Sequence, residues 1–132
     1  MHKGFLKAGS LFAALAVIFG AFAAHAIKNR VSADALAVFE TGVRYQMYHS
    51  LALIFAGILY KEFPAKLLLW AGKLFIVGII LFSTSLYLLT YFKAVENASM
   101  FWLGAVTPFG GVCFIAGWGF LFKGILSKRE GL

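Results

Sequence analysis

The sequence predicts an all-α integral membrane protein, a four-helix bundle with both termini in the cytoplasm. Two observations carry that expectation. Of the 132 residues 62% are apolar, and four runs, residues 8–27, 45–60, 74–92 and 97–122, hold no Asp, Glu, Lys or Arg. About 20 apolar residues cross a hydrocarbon core roughly 30 Å thick, so runs of this kind read as spans. All 17 charged residues, 12 Lys or Arg and 5 Asp or Glu, fall outside them, as insertion demands when a central charge costs several kcal/mol. Four spans with short connections use nearly the whole chain. It is therefore read as one transmembrane domain over 1–132, with helices near 5–27, 33–61, 67–92 and 98–123.

The first run follows Lys3 and Lys7 and ends near Ala24-His25-Ala26, which imitates a secretory signal with a small-residue cleavage site. Its apolar stretch exceeds the 7 to 15 residues usual for a signal core, so it reads as a retained helix. Gly9, Ala13, Ala16, Gly20 and Ala24 recur along it at the small-residue spacing that lets membrane helices approach.

The second run spans 16 residues, about 24 Å at 1.5 Å each, too short to cross alone. Ser32 is a candidate N-cap, with Asp34 in the first turn. A helix starting near Ser32 or Ala33 carries Glu40 and Arg44 to headgroup depth, spaced i, i+4 so that they can pair. Lys73 precedes the third run, where its stem can snorkel to the headgroups. The fourth run is 26 residues long, and Thr107-Pro108-Phe109-Gly110-Gly111 interrupts its outer half. Proline beside two glycines predicts a kink or unwound turn facing protein, where neighbours satisfy the freed carbonyls. Trp70, Trp102, Tyr60 and Tyr91 suit an aromatic belt at the interfaces.

Orientation follows from the cations. Lys3, Lys7, Lys61, Lys66, Lys73, Lys123, Lys128 and Arg129 collect on the side of the termini; Lys28, Arg30, Arg44 and Lys93 lie opposite. Eight against four places the termini in the cytoplasm. The net charge of +7 is scattered along membrane edges with no stripe, which disfavours nucleic acid and suits anionic headgroups. Expected partners are the lipid bilayer and a second copy or a membrane complex, and no cofactor is expected. Cys113, the one cysteine, permits no internal disulfide and reads as a small hydrophobe.

With this topology the remaining polar residues gather toward the side away from the termini. The candidate pocket is His25, Glu40, Thr41, Arg44, Tyr45, Tyr48, His49, Ser83, Ser85 and Thr107. Thr41, Tyr45, Tyr48 and His49 form one stripe on the second helix. The functional reading makes His25 and His49 proton-accepting or ligand-binding groups. The structural reading has the cluster tie helices together, His49 bonding a serine or a backbone carbonyl across the bundle, at around 1 kcal/mol per bond. Two histidines without a third donor make a weak metal or haem signal. No Ser-His-Asp set, phosphate loop or intramembrane carboxylate pair is present, so no enzymatic activity is expected.

The blocks Gly20-Ala21-Phe22-Ala23-Ala24-His25, Thr41-Gly42-Val43-Arg44-Tyr45-Gln46-Met47-Tyr48-His49-Ser50-Leu51, Phe82-Ser83-Thr84-Ser85-Leu86-Tyr87 and Thr107-Pro108-Phe109-Gly110-Gly111 resemble the small integral membrane family catalogued as domain of unknown function four hundred and twenty-three. Ala23 and Thr84 stand where that family commonly has glycine. The resemblance implies a four-helix inner-membrane protein with relatives in bacteria and in animal mitochondria, and it implies no reaction. Two functions are thus expected to compete. One is a non-enzymatic membrane protein of the cell (inner) membrane acting through helix association. The other is a small transporter or ligand-binding protein using His25, His49, Tyr45 and Tyr48. Four-span drug exporters rely on a carboxylate deep in the first helix, and the first run here has none.

Overall fold

A computed structural model describes residues 1–63 and 65–127; Lys128 and Arg129, two of the eight cations counted toward the cytoplasmic side, lie outside the described residues. The described chain is helical throughout, without strands. Helix α1 (Lys3–Phe22) runs on into a wide π turn (Ala23–Ile27), and α2 (Ala33–Leu59) follows. Next, α3 (Lys66–Gly78) and α4 (Thr84–Ala94) form one rod through a second π turn (Ile79–Ser83). A 3-10 segment (Ala98–Ala105) then leads into α5 (Thr107–Ser127).

Local chemistry sets these boundaries. Ser32 holds extended backbone, and its Oγ accepts from the Ala35 N–H at 3.2 Å, so the cap starts α2. At the start of α1, His2 Nδ1 accepts from the Phe5 N–H at 3.1 Å, while the His2 N–H donates to the Gly57 carbonyl at 2.8 Å. That pair fastens the start of α1 to the end of α2. The fourth run is not one kinked helix. After Asn97 its next eight residues, Ala98–Ala105, wind as the tighter 3-10 segment, and α5 begins at Thr107, which puts Pro108 in a first turn whose N–H groups have no intrahelical partner anyway.

Three helices are long and apolar enough to cross a membrane: Lys3–Ile27, Lys66–Ala94 and Ala98–Ser127. By length α2 qualifies too, but its polar content keeps it out of that set. It is the hub, packing against α1, α3 and α4, while α5 lies along α3. The core has two parts. Leu68, Ala71, Phe75, Ile79, Phe114 and Leu121 join α3 to α5 with Ala52 beside them, and Phe5, Leu53 and Ala56 join α1 to α2.

Glycines allow the closest approaches. A Cβ on Gly9 would sit 2.6 Å from Ile54 Cγ1 and 2.8 Å from the Ser50 carbonyl oxygen. One on Gly110 would sit 2.7 Å from Phe82 Cβ. Neither separation is possible between carbon atoms, so the backbones meet there only because the side chain is hydrogen. Outward faces are apolar: Leu11, Val17, Ile18 and Phe22 on α1 and Phe109, Val112, Ile115 and Phe122 on α5 are each more than half exposed. In water so much apolar surface would drive aggregation, whereas hydrocarbon accepts it.

Candidate functional site

Seven positions of α2 face inward at strict i, i+4, i+7 spacing: Ala35, Phe39, Gly42, Gln46, His49, Leu53 and Ala56. Gln46 and His49 are 3% and 4% exposed, so each carries polar groups into a place where an unpaired donor is costly. The structure pairs them. Gln46 Nε2 donates to the Phe12 carbonyl on α1 at 2.8 Å, and the Tyr87 hydroxyl on α4 donates to Gln46 Oε1 at 2.6 Å. One amide thereby joins three helices. The ring of Tyr87 packs between Phe19 and Phe39, with centroids 5.0 and 4.9 Å away.

His49 makes the second tie. Its Nδ1 lies 2.8 Å from the Tyr45 carbonyl, one turn back on its own helix, and the Trp118 indole Nε1–H donates to its Nε2 at 3.1 Å. A carbonyl only accepts and an indole N–H only donates, so the two bonds together require a neutral ring with its hydrogen on Nδ1. The imidazole also stacks on Phe114 at 3.5 Å between centroids and 9° between planes. Its partner across the bundle is thus an indole on α5, in place of the expected serine or carbonyl. Both ring nitrogens are occupied, which leaves neither for a metal or a substrate.

Three further bonds complete the set. Ser83 Oγ, in the second π turn, donates to the Gly42 carbonyl at 2.7 Å. Ser85 and Thr107 hydroxyls meet at 2.7 Å between α4 and α5, and Thr90 Oγ1 reaches the Ala35 carbonyl at 3.3 Å. All six buried polar residues among those described sit on α2 or on the α3–α4 rod. None of their buried side-chain atoms lacks a partner.

The expected pocket residues are therefore dispersed. Ser83, Ser85, Thr107 and His49 lie in helix contacts, but in different ones. Glu40, Arg44, Tyr45 and Tyr48 are exposed, and Thr41 is half-buried. The expected Glu40–Arg44 pair is not formed among the described residues; Arg44 donates to Thr41 Oγ1 at 3.2 Å. His25 is exposed on the first π turn. Because Gly9 lies against Ser50, His25 stands 16 residues further along α1, about 24 Å at 1.5 Å per residue. The two histidines are not brought together. Nor are the polar groups confined to one half, since His49 is the seventeenth of 27 residues in α2 and bonds the twelfth of 21 in α5. Among the described residues no three His, Cys, Asp or Glu side chains converge as a metal site requires.

Gln46 and Tyr87 were not among the expected site residues. The signal was available in the 3.5-residue inward spacing of α2, one residue away from the Thr41, Tyr45 and Tyr48 stripe and so about 100° around the helix.

Open cavities gather at the end of the bundle away from the termini. One, of about 310 Å³, is lined by Gly20, Ala23, Glu40, Val43 and Arg44. Two others adjoin near Arg30.

A family model described as "Protein of unknown function (DUF423)" matches residues 19–111. This chain belongs to that family. It is 43% identical over 116 residues to a UPF0382 membrane protein of Staphylococcus saprophyticus, covering 88% of this chain and 91% of the relative. It is 42% identical over 117 residues to the UPF0382 membrane protein YwdK of Bacillus subtilis, covering 88% and 90%. No solved structure matches. Within the DUF423 match lie all the residues of the five interhelical ties except Phe12 and Trp118. The relatives are named as membrane proteins, and those names carry no reaction.

Proposed function

We propose that this DUF423 protein is a non-enzymatic protein of the cell membrane that crosses the bilayer four times, with both termini in the cytoplasm, and acts by associating with itself or with a larger membrane complex. The observation that carries this reading is the use made of the polar residues. Gln46, His49, Ser83, Ser85 and Thr90 spend their hydrogen-bonding capacity on neighbouring helices. A catalytic group has to keep a lone pair or proton free for its substrate. The fourth crossing rests on α2, whose Gln46 and His49 turn inward to those partners and whose exposed Glu40 and Arg44 lie in its first half, toward the headgroups, so its low hydropathy is compatible with a bilayer outside. The test is affinity purification of the full chain in mild detergent with chemical crosslinking. The reading expects a recurrent protein partner or a defined oligomer. A monomer with no captured partner would refute it.

A second reading, a small transporter or ligand-binding protein, is favoured by the cavity beside Glu40 and Arg44. It expects Arg44→Gln to remove binding or transport without loss of folding.

A further inference from the structure

At the end of the bundle away from the termini, α1 and α4 part company. The first half of α1 is held to α3, where Phe5 fills the space over Gly72. Toward its π turn the helix packs mainly on α2, with the Phe19–Tyr87 ring contact its tie to α4, and beyond that contact a cleft of about 460 Å³ opens between it and α4. Phe22, Ala26 and Ile27 form one wall and Tyr91, Ala94 and Val95 the other, above the buried Phe39. Its mouth continues into a second cavity of about 440 Å³ whose lining includes Asn29, Arg30, Ser32, Lys93 and Glu96. Arg30, Val31 and Ala94 border both spaces. An apolar slot thus leads, without a break, into a polar chamber carrying two cations and one carboxylate.

We propose that this double cleft binds a single anionic phospholipid, its phosphate held by Arg30 and Lys93 and one acyl chain lying between α1 and α4. Charge complementarity selects the headgroup. Arginine pairs with phosphate oxygens through two parallel N–H bonds and lysine adds a point charge, while the N-terminus of α2, opening beside Ser32, contributes positive backbone dipole. The slot selects the tail. Its walls are Phe, Ile, Val and Ala with the Tyr91 ring, and it runs from headgroup depth toward the hydrocarbon, as a lipid does. Basic pockets between membrane helices are a known headgroup chemistry, each cation adding roughly fivefold to binding. This site differs from the bonded cluster deeper in the bundle and shares with it only Phe39, Tyr87 and Thr90, which form the floor of the slot, and Ala35, which lines the polar chamber.

Native mass spectrometry of the purified full chain in mild detergent tests the assignment. Phosphatidylglycerol and phosphatidylcholine of the same acyl length are titrated as competing probes. The expected result is one tightly held phosphatidylglycerol, preferred by roughly tenfold or more, and a preference lost in Arg30→Gln/Lys93→Gln. Lys28→Gln, a cation beside the cleft but outside its lining, leaves the preference intact. Ala94→Phe fills the slot and lowers retention of both lipids. Equal binding of the two lipids, or the same loss in Lys28→Gln, overturns the proposal. If glycerol 3-phosphate competes as well as the whole lipid, the ligand is a soluble phosphate ester and the lipid is refuted. A dimer that Ala94→Phe dissolves and lipid leaves untouched would show a second copy in the cleft, which also overturns it. The inference rests on the bilayer placement proposed above. Failure of that placement reads differently, as no retention of either lipid.

Discussion

Replacing Gln46 by leucine tests whether polar pairing or apolar packing fixes the helices. Leucine roughly preserves volume, so the loss is chemical: one bond from Nε2 to the Phe12 carbonyl and one from the Tyr87 hydroxyl to Oε1. Interhelical bonds in membranes average about 0.6 kcal/mol and reach about 1.7, so two contribute about 1–2 kcal/mol. The Phe12 carbonyl lies within α1, where the backbone ladder also bonds it, and losing the amide does not orphan it. Tyr87 is different, since its hydroxyl is left facing leucine and adds about 1 kcal/mol. The expected total is about 2–3 kcal/mol.

Tyr87→Phe alone should cost about 1–2 kcal/mol, by removing one bond and stranding Gln46 Oε1. In the double variant neither group is stranded. Its cost should match or fall below that of Gln46→Leu alone, giving a coupling at least as large as the Tyr87→Phe cost, about 1–2 kcal/mol. The assay is reversible unfolding of the full chain by SDS in mixed micelles, followed by circular dichroism. Costs that add within about 0.3–0.5 kcal/mol would show no direct bond between the two side chains and refute the account of the three-helix tie.

Other perturbations follow from the same geometry. Nitrogen NMR of labelled His49 should show hydrogen on Nδ1 and an acceptor Nε2, and a ring protonated on Nε2 would contradict the Trp118 bond. Gly110→Ala should destabilise by about 1–3 kcal/mol, because the new Cβ falls 2.7 Å from that of Phe82. Gly119→Ala, whose Cβ meets nothing within 4 Å, should be neutral or stabilise by up to about 1 kcal/mol in the same unfolding assay. Ser32→Ala should cost about 1 kcal/mol by removing the cap on α2. With Cys113 replaced, a single cysteine at Asn97 should react with an impermeant maleimide added to intact cells, and one at Lys61 should not; the opposite pattern would invert the proposed topology.

Much of the scaffold was readable in the residues because hydrocarbon imposes a simple rule on charge and length. Three apolar runs became the three membrane-capable helices, and Ser32 supplied the cap that starts α2. Pro108 was read as an interruption of the fourth helix, whereas it opens α5 after a 3-10 segment. Proline signals that a helix cannot pass it unbroken from the N-terminal side; it does not say whether the preceding turn is α or 3-10. The two π turns were invisible to periodicity, since one extra residue in a turn leaves hydropathy unchanged. They fall within or beside the blocks that carried the family resemblance, Gly20 to His25 and Phe82 to Tyr87. The second turn bears Ser83, which bonds the Gly42 carbonyl.

The site was harder to read for a reason specific to membranes. In a soluble protein hydropathy marks the interior, but in a bilayer both lipid and core are apolar, so it marks only immersion. Polar residues then give the inward direction, and they do so only as a set. Tyr45 and Tyr48 look as polar as Gln46, yet both tyrosines are exposed, 39% and 55%, and the glutamine is buried. Their amphipathic rings tolerate the boundary with lipid, where a glutamine amide does not. Ranking polar side chains by how poorly lipid accepts them would therefore have pointed to Gln46 and His49 first. Those two alternate with Gly42 and Leu53 at the spacing that brings α2 against all its neighbours. The helix that hydropathy leaves out of the membrane-capable set is for that reason the one against which α1, α3 and α4 pack.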